Sequence, residues 1–377
     1  MSATARTAIV TSRLPRLMPP QDPWLHGLRA SIRRVQRSGD ILLMRTGTAG
    51  FDFILRAAER LSIPIEKIEV PTTSPSIDDN SIPARDLALM TTADCVLALG
   101  IRTEGNMHRA LRERLQTGRT VVLVDVPGLQ SSAALEDLVT QGAILWKPDI
   151  LDQDSFTPHE EMDRQTGASV IEIVPFPSPI DWNYLSHSTR ACPEPWPGQS
   201  LEQHIDSLLD NTREADHSRI AALERIVTQR RLLASQRTIR GGHRMVCLTS
   251  APLQDLPALR RFRSHRTRWD FEPFGICIRR DWLLERGVRP AIYGDDAIWD
   301  NLPAEDRPYF QWSDPVQGLD WSMEREWRHA GDLDLSELPV EQGLVFVPNY
   351  EAATRLFPVS PWPVTLWPGQ FNDASTP

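Results

Sequence analysis

The sequence predicts an α/β domain built on a doubly wound parallel sheet, followed by an α+β domain. Two observations carry this. Strand-like and helix-like stretches alternate through residues 1–150, and the strand-like ones, such as TVVLVDV at 120–126 and CVLALG at 95–100, are continuous apolar runs. Runs of that kind belong to strands covered on both faces by helices. After Gly241-Gly242 the texture changes to short β-like segments. A chain of 377 residues also suits two cores better than one.

The elements follow in order. TAIVT (7–11) is a short apolar strand, and a helix follows over about 24–37, with Leu25, Leu28, Ile32 and Val35 at helical spacing. DILLMR (40–45) is a strand, FDFILRAAERL (51–61) a helix and IEKIEV (65–70) a third strand. Residues 83–92 read as helix and 95–100 as a buried strand. Residues 106–118 read as a helix closed by a C-terminal glycine. The strand at 120–126, the helical SAALEDLVTQG and the strand AILWK end the series. Residues 151–168 are polar and aperiodic and are expected to be a linker, which gives the second domain 169–377. Within it, Ser200 and Gln203 have the spacing of a capping box ahead of a helix with Leu201, Ile205, Leu208 and Leu209 on one face. A further helix is expected over 218–236. Five strand candidates then follow, among them EPFGICIRR, EREWRHAGDLDL and GLVFVP.

Composition narrows the function classes. No apolar run approaches the ~18–20 residues that span a bilayer, and the start lacks the apolar centre of a signal peptide, so a cytoplasmic location is expected. Cys95, Cys192, Cys247 and Cys277 are far apart with no C-x-x-C, which disfavours a zinc ribbon or a disulfide framework, and no metal is expected. The net charge of −9 gives no general affinity for nucleic acid. Only Lys67 and Lys147 are lysines, so the positive charge is almost all arginine; this either suits phosphate forks or reflects the composition of the coding genome. Zincin, α/β-hydrolase and P-loop signatures are missing.

The sharpest local signal is RTGTAGFDFILRAA (45–58), where a strand ends in a G-x-x-G turn and a helix begins. Such a turn lets backbone approach a ligand, with the free N–H groups of the first helical turn facing it. TSR (11–13) and GIRTEGN (100–106) end two other strands, and a parallel sheet places all three segments at its carboxyl edge, where ligands bind. These segments, with Arg85 ahead of ADCVLALG, resemble the SLOG superfamily of Rossmann-like folds, which includes DprA and the lysine-decarboxylase-like LOG enzymes. The resemblance covers about 140 residues and implies a nucleotide or related phosphate ligand. It carries a binding role onto Ser12, Arg13, Gly47, Thr48, Gly50, Asp52, Arg85 and Gly105. The P-G-G-x-G-T-x-x-E of the catalytic LOG enzymes does not occur, so their phosphoribohydrolase chemistry is not expected. The alternative is that the glycines serve only tight turns.

In the second domain, the order VCLT, FGICI, PAIY and EREWR resembles bacterial domains related to AbiGi of abortive phage infection. The resemblance implies anti-phage defence and no defined chemistry. A more distant similarity supplies one. ADP-ribosyltransferases of the DarT type open with H-x-T on a strand and later present a glutamate before an aromatic residue; HST (187–189) and REW (325–327) have that order. That similarity implies a catalytic set of Glu326, His187, Thr189 and Arg190, with NAD as the cofactor. Tyr293 or Trp327 would stack on nicotinamide, and Arg190 would meet the pyrophosphate. The physical need is a carboxylate beside an oxocarbenium-like ribose. RRFRSHRTRW (260–269) offers Arg260, Arg261, Arg263, Arg266 and Arg268 with Trp269 as a possible nucleic-acid surface, or as a solvated face.

Two functions are therefore expected to compete. One is a nucleotide-sensing domain controlling an NAD-consuming or ADP-ribosyltransferase-like effector with a protein or nucleic-acid target. The other is a non-catalytic nucleotide or nucleic-acid binding module that recruits a defence partner. The position of His187 relative to Glu326 separates them most sharply.

Overall fold

A computed structural model describes residues 4–15, 17–69, 82–149, 156, 172–237, 239–263, 268–314 and 320–369. The expected linker 151–168, the C-terminal tail and the middle of the arginine run, including Arg266 and the side chain of Arg268, fall largely outside these. The chain divides into two compact units. One is Met1–Arg164 with Pro193–His217, and the other is Gln165–Cys192 with Ser218–Pro377.

The first unit is a Rossmann-like α/β fold. Its strands are β1 (Arg6–Thr11), β2 (Ile41–Met44), β3 (Ile65–Lys67), β4 (Cys95–Leu99), β5 (Thr120–Val124) and β6 (Ile144–Trp146). They form one parallel sheet in the order β3-β2-β1-β4-β5-β6. Helices α1 (Pro23–Ser38), α2 (Phe51–Arg60), α3 (Ala84–Thr92), α4 (Asn106–Gln116) and α5 (Ser132–Thr140) cover it. Ile9, Leu42, Leu97 and Val122 face α1 and α2, while Ala8, Val10, Leu43, Val96 and Val121 face α3–α5. Both sides of each strand are thus buried, which explains the unbroken apolar runs. Helix α1 starts where Asp22 accepts from the Trp24 N–H and Pro23 takes the first turn, and it stops at the left-handed Gly39.

The domain boundary differs from expectation. The capping box of Ser200 and Gln203 forms, but the helix it starts, Leu201–Asp210, packs its Ile205, Leu208 and Leu209 into the core of the first unit. Arg29, buried on α1, donates from Nε to the Leu209 carbonyl and from an Nη to the Leu208 carbonyl, each at 2.8 Å. Arg56 pairs with Asp206 at 2.6 Å, and Arg60 with Asp210 at 2.9 Å. Periodicity shows that this helix has an apolar face but not which sheet that face covers.

The second unit is a mixed β structure. Its strands are β7 (Tyr184–Ser188), β8 (Arg231–Leu232), β9 (Met245–Thr249), β10 (Phe262–Arg263), β11 (Arg268–Trp269), β12 (Gly275–Arg279), β13 (Arg289–Pro290), β14 (Ile292–Gly294), β15 (Phe310–Trp312), β16 (Glu326–Ala330), β17 (Leu333–Asp334), β18 (Gly343–Val347) and β19 (Val364–Leu366). Seven of them form a sheet in the order β13-β16-β9-β7-β12-β18-β19, in which only β18 and β19 run parallel. Small pairs β8–β17, β10–β11 and β14–β15 flank it. Two expectations are corrected. The helix over 218–236 ends at Gln229, because Arg230 turns left-handed and the chain enters β8. EREWRHAGDLDL is two strands, broken at Gly331 with φ +76°. Leu333 and Leu335 are buried as alternation required.

Candidate functional site

In the second unit, β7 and β9 share one ladder pair, Ser186 opposite Thr249. Beyond it a cleft of about 220 Å³ is lined by Ser186–Ser188 and Arg190 on one side and Cys247–Thr249 on the other. The imidazole of His187 crosses the gap. Its Nδ1 lies 2.9 Å from the Cys247 carbonyl. A carbonyl only accepts, so Nδ1 carries the proton and Nε2 is left as an acceptor. Burial, with Arg190 acting in the same direction against the carbonyl bond, pushes the imidazole down to about 4. Gly275 makes this possible from behind. It pairs with Ser188, and a Cβ there would collide with the His187 carbonyl and the Phe346 ring.

Glu326 enters the same cleft from β16, opposite Thr249 in the ladder. Its carboxylate is held by Arg328 through two bonds, Nε to Oε1 at 2.9 Å and an Nη to Oε2 at 3.0 Å. Arg328 is 1% exposed and Glu326 12%. The remaining Arg328 donors reach the Pro308 and Phe310 carbonyls and Gln311 Oε1, at 3.1, 2.7 and 2.6 Å. Trp327 points the other way, into the core, as alternation predicts, so it is not the stacking residue. Nor is Tyr293, whose hydroxyl accepts the Glu326 backbone N–H at 2.8 Å from behind the strand. Burial pushes that phenol up to about 12. The aromatic residues that do line the cleft are Phe271 and Trp321. Thr189 is buried beside it with no partner for Oγ1 among the described residues. Its backbone N–H donates to the Phe274 carbonyl at 2.7 Å. The exposed Arg190 lines the mouth and donates to the Trp269 carbonyl at 3.4 Å. His187, Arg190 and Glu326 therefore meet, with Thr189 adjacent.

Glu324 is a residue of this cleft that the sequence alone does not single out. It ends a 3-10 turn (Ser322–Glu324), its carbonyl accepts from Thr249 Oγ1 at 2.6 Å, and it lines the cleft. Burial, then the carboxylates of Asp270 and Glu326, push its carboxyl up to about 7, against the pull of Arg263 and Arg190. Asp270 pairs with Arg263, whose guanidinium lies 4.5 Å from the Trp321 ring centre. The spacing Glu324-Arg325-Glu326 was the available signal; nothing local marks Asp270, Phe271 or Gln311. Two non-glycine residues beside the cleft have left-handed backbone, Phe271 at φ +51° and Arg325 at φ +45°. Strain at bulky residues of this kind collects at functional sites. The Cys247 thiol in the wall is pushed up by burial and by Glu326, so it is a poor nucleophile.

The first unit has a second cavity, of about 430 Å³, at the carboxyl ends of β1, β4 and β5. Strand order reverses between β1 and β4, so this is the switch point where α/β folds bind ligands. Ser12 and Arg13 line it as expected; Gly47, Thr48, Gly50, Asp52, Arg85 and Gly105 do not. Gly50 has φ +73°, and a Cβ there would lie 3.0 Å from the Trp24 ring, so this glycine accommodates a tryptophan. That ring donates from Nε1 to Thr11 Oγ1 at 2.9 Å. Thr48 Oγ1 bonds to the Arg45 carbonyl at 2.8 Å and closes its own turn. Asp52 is exposed on the first turn of α2, Arg85 is exposed near Gly47, and Gly105 precedes α4. The residues that the sequence reading missed are Trp24, Arg102 and Ser131. Ser12 Oγ accepts the Arg102 N–H at 3.0 Å, which ties the β1 loop to the β4 loop.

Among the described residues no group of three or more His, Cys, Asp or Glu is placed to hold a metal. No described helix is long and apolar enough to cross a membrane.

No protein-family model matches the chain, and no curated protein matches it. Solved structures do. The molybdenum cofactor carrier protein of Chlamydomonas reinhardtii is 12% identical, with 38% of this chain and 90% of that chain covered and a TM-score of 0.30. DNA processing protein A of Streptococcus pneumoniae is 14% identical, with 40% and 60% covered and a TM-score of 0.31. The molybdenum cofactor binding protein of Rippkaea orientalis is 13% identical, with 39% and 92% covered and a TM-score of 0.29. These likenesses assign this chain no ligand and no reaction.

Proposed function

We propose that the second unit cleaves the bond between nicotinamide and ribose in NAD, passing the ADP-ribosyl group to water or to an acceptor. The observation that carries this reading is the meeting of His187 and Glu326, with Glu324, in one cleft with aromatic walls. Breaking that bond builds positive charge on the ribose, and nicotinamide leaves as a neutral molecule with the bonding electron pair. Fixed carboxylates beside the sugar stabilise that charge. The incoming hydroxyl loses its proton as it bonds to the anomeric carbon, and Glu324, pushed up to about 7, takes it. His187 Nε2 accepts from a ribose hydroxyl. Arg190 and Arg263 suit a diphosphate, and Phe271 and Trp321 a planar ring. Ligand pockets commonly measure about 300–1,000 Å³. The smaller cleft here encloses a ring with its sugar and leaves the remainder of a dinucleotide along the mouth at Arg190.

The first unit, in this proposal, senses a nucleotide at its switch-point cavity, where Arg13 and Arg102 favour an anion. The motif resemblance to abortive-infection domains sets the pair in anti-phage defence. The test is NAD turnover by wild type and Glu326→Gln. Turnover lost in the variant supports the assignment, and equal turnover removes it. The competing reading is a non-catalytic module. It is favoured by the exposed Arg261 of the arginine run and not by Trp269, whose ring is covered by Arg260 at 4.1 Å. It predicts binding with no turnover.

A further inference from the structure

Arg328 is a large charged side chain with almost no exposure, and its guanidinium satisfies five acceptors. Three of them, the Pro308 and Phe310 carbonyls and Gln311 Oε1, come from the segment leading into and through β15. The other two are the oxygens of Glu326. A planar fork of this kind fixes the plane of the carboxylate as well as its charge. From the backbone side, Tyr293 on β14 accepts the Glu326 N–H. The small β14–β15 pair therefore braces Glu326 from outside the main sheet.

We infer that Arg328 is a positioning residue: it holds Glu326 as a fixed, acceptor-only carboxylate facing the reacting sugar, and leaves proton transfer to Glu324. This rests on the proposed NAD cleavage. Each Glu326 oxygen gives one lone pair to Arg328 and has another for a ligand hydroxyl. The other ionisable groups lining the cleft are Glu324, His187, Arg190, Arg263, Asp270 and Cys247. Of these, Asp270 is paired with Arg263, and His187 is held by a backbone carbonyl. Among the described residues, Arg328 is thus the cation shown in direct contact with Glu326. Without it, the carboxylate of Glu326 is left mostly buried with its charge uncompensated.

The experiment compares wild type, Arg328→Lys, Arg328→Met and the double variant Arg328→Met with Glu326→Gln. Stability to urea and NAD turnover are each measured from pH 5 to 8. Arg328→Lys keeps the charge but not the fork, and is expected to lower kcat about a hundredfold with little change in KM. Arg328→Met loses the charge as well as the fork, and is expected to lower kcat at least as far as Arg328→Lys. Its loss of stability should be greater at pH 8 than at pH 5, and the double variant should remove that difference. A stability loss equal at both pH values would overturn the inference, because Arg328 would then serve only the backbone carbonyls. So would an Arg328→Lys enzyme with wild-type kcat. A wild type with no NAD turnover at any pH would remove the reaction, and the catalytic part of the inference with it. The stability comparison would still decide whether Arg328 holds the charge of Glu326.

Discussion

His187 and Cys247 are joined across the point where two neighbouring strands part. The imidazole Nδ1–H donates to the Cys247 carbonyl at 2.9 Å, just past the single β7–β9 ladder pair. A side chain here does the work of a backbone donor, and it does so with its other nitrogen facing a cleft. Removing it in His187→Ala leaves a carbonyl without this donor, at a cost of about 1–3 kcal/mol. The pH dependence has a definite sign. The folded imidazole titrates at about 4 instead of 6.5. As pH falls from 6.5 to 4 the unfolded chain gains a proton that the folded one refuses, and stability drops. Urea unfolding across that window should show a shallower loss in His187→Ala.

Glu324 has the opposite slope. Its folded carboxyl is raised from 4.5 to about 7, so its contribution is complete below pH 4.5 and is lost as pH rises to 7. Glu324→Gln is expected to match wild type at pH 4. At pH 8 it should be more stable, by on the order of 1–2 kcal/mol after screening of this partly exposed group. Stability measured at those two values checks the sign. The same variant should abolish the rise of NAD turnover with pH through about 7.

Gly275→Ala tests the rear of the cleft. A methyl group there meets the His187 carbonyl and the Phe346 ring in a packed sheet. A loss of about 3 kcal/mol is expected, read by thermal or urea unfolding.

The placement of the helix Leu201–Asp210 with the first unit predicts that Arg29→Met destabilises that unit. The Leu208 and Leu209 carbonyls each lose a buried donor, at about 2–4 kcal/mol in all. Hydrogen exchange of 201–210 should accelerate together with α1, and unchanged protection would contradict the assignment.

Arg102→Ala tests the switch-point cavity. Thermal stabilisation of the full chain by a nucleotide should fall at least tenfold in apparent affinity. Gly50 is a poor probe of ligand binding, because its neighbours are Trp24 and Thr11.

Much of this was legible in one dimension. Continuous apolar runs such as VVLV determine a parallel sheet covered on both sides, because only strands buried on both faces tolerate them. The capping box at Ser200 and the opposed directions of Glu326 and Trp327 follow from local spacing, since the periods of helix and strand are properties of the backbone. What no local pattern holds is the choice among equivalent partners. Ile205 and Leu208 present an apolar face that fits either core, and only tertiary packing assigned it to the first unit. Gly50 reads as a ligand turn until Trp24, far away in sequence, fills the space. Tyr293 and Trp327 are as aromatic as Phe271 and Trp321, and only the splay of β7 from β9 decides which rings face a ligand. Glu324 and Glu326 are chemically identical in the sequence. Their difference comes from Arg328, which lies beside one of them, and from the burial and negative neighbours of the other. Charge state depends on dielectric and distance in three dimensions, and those exist only after the chain has folded.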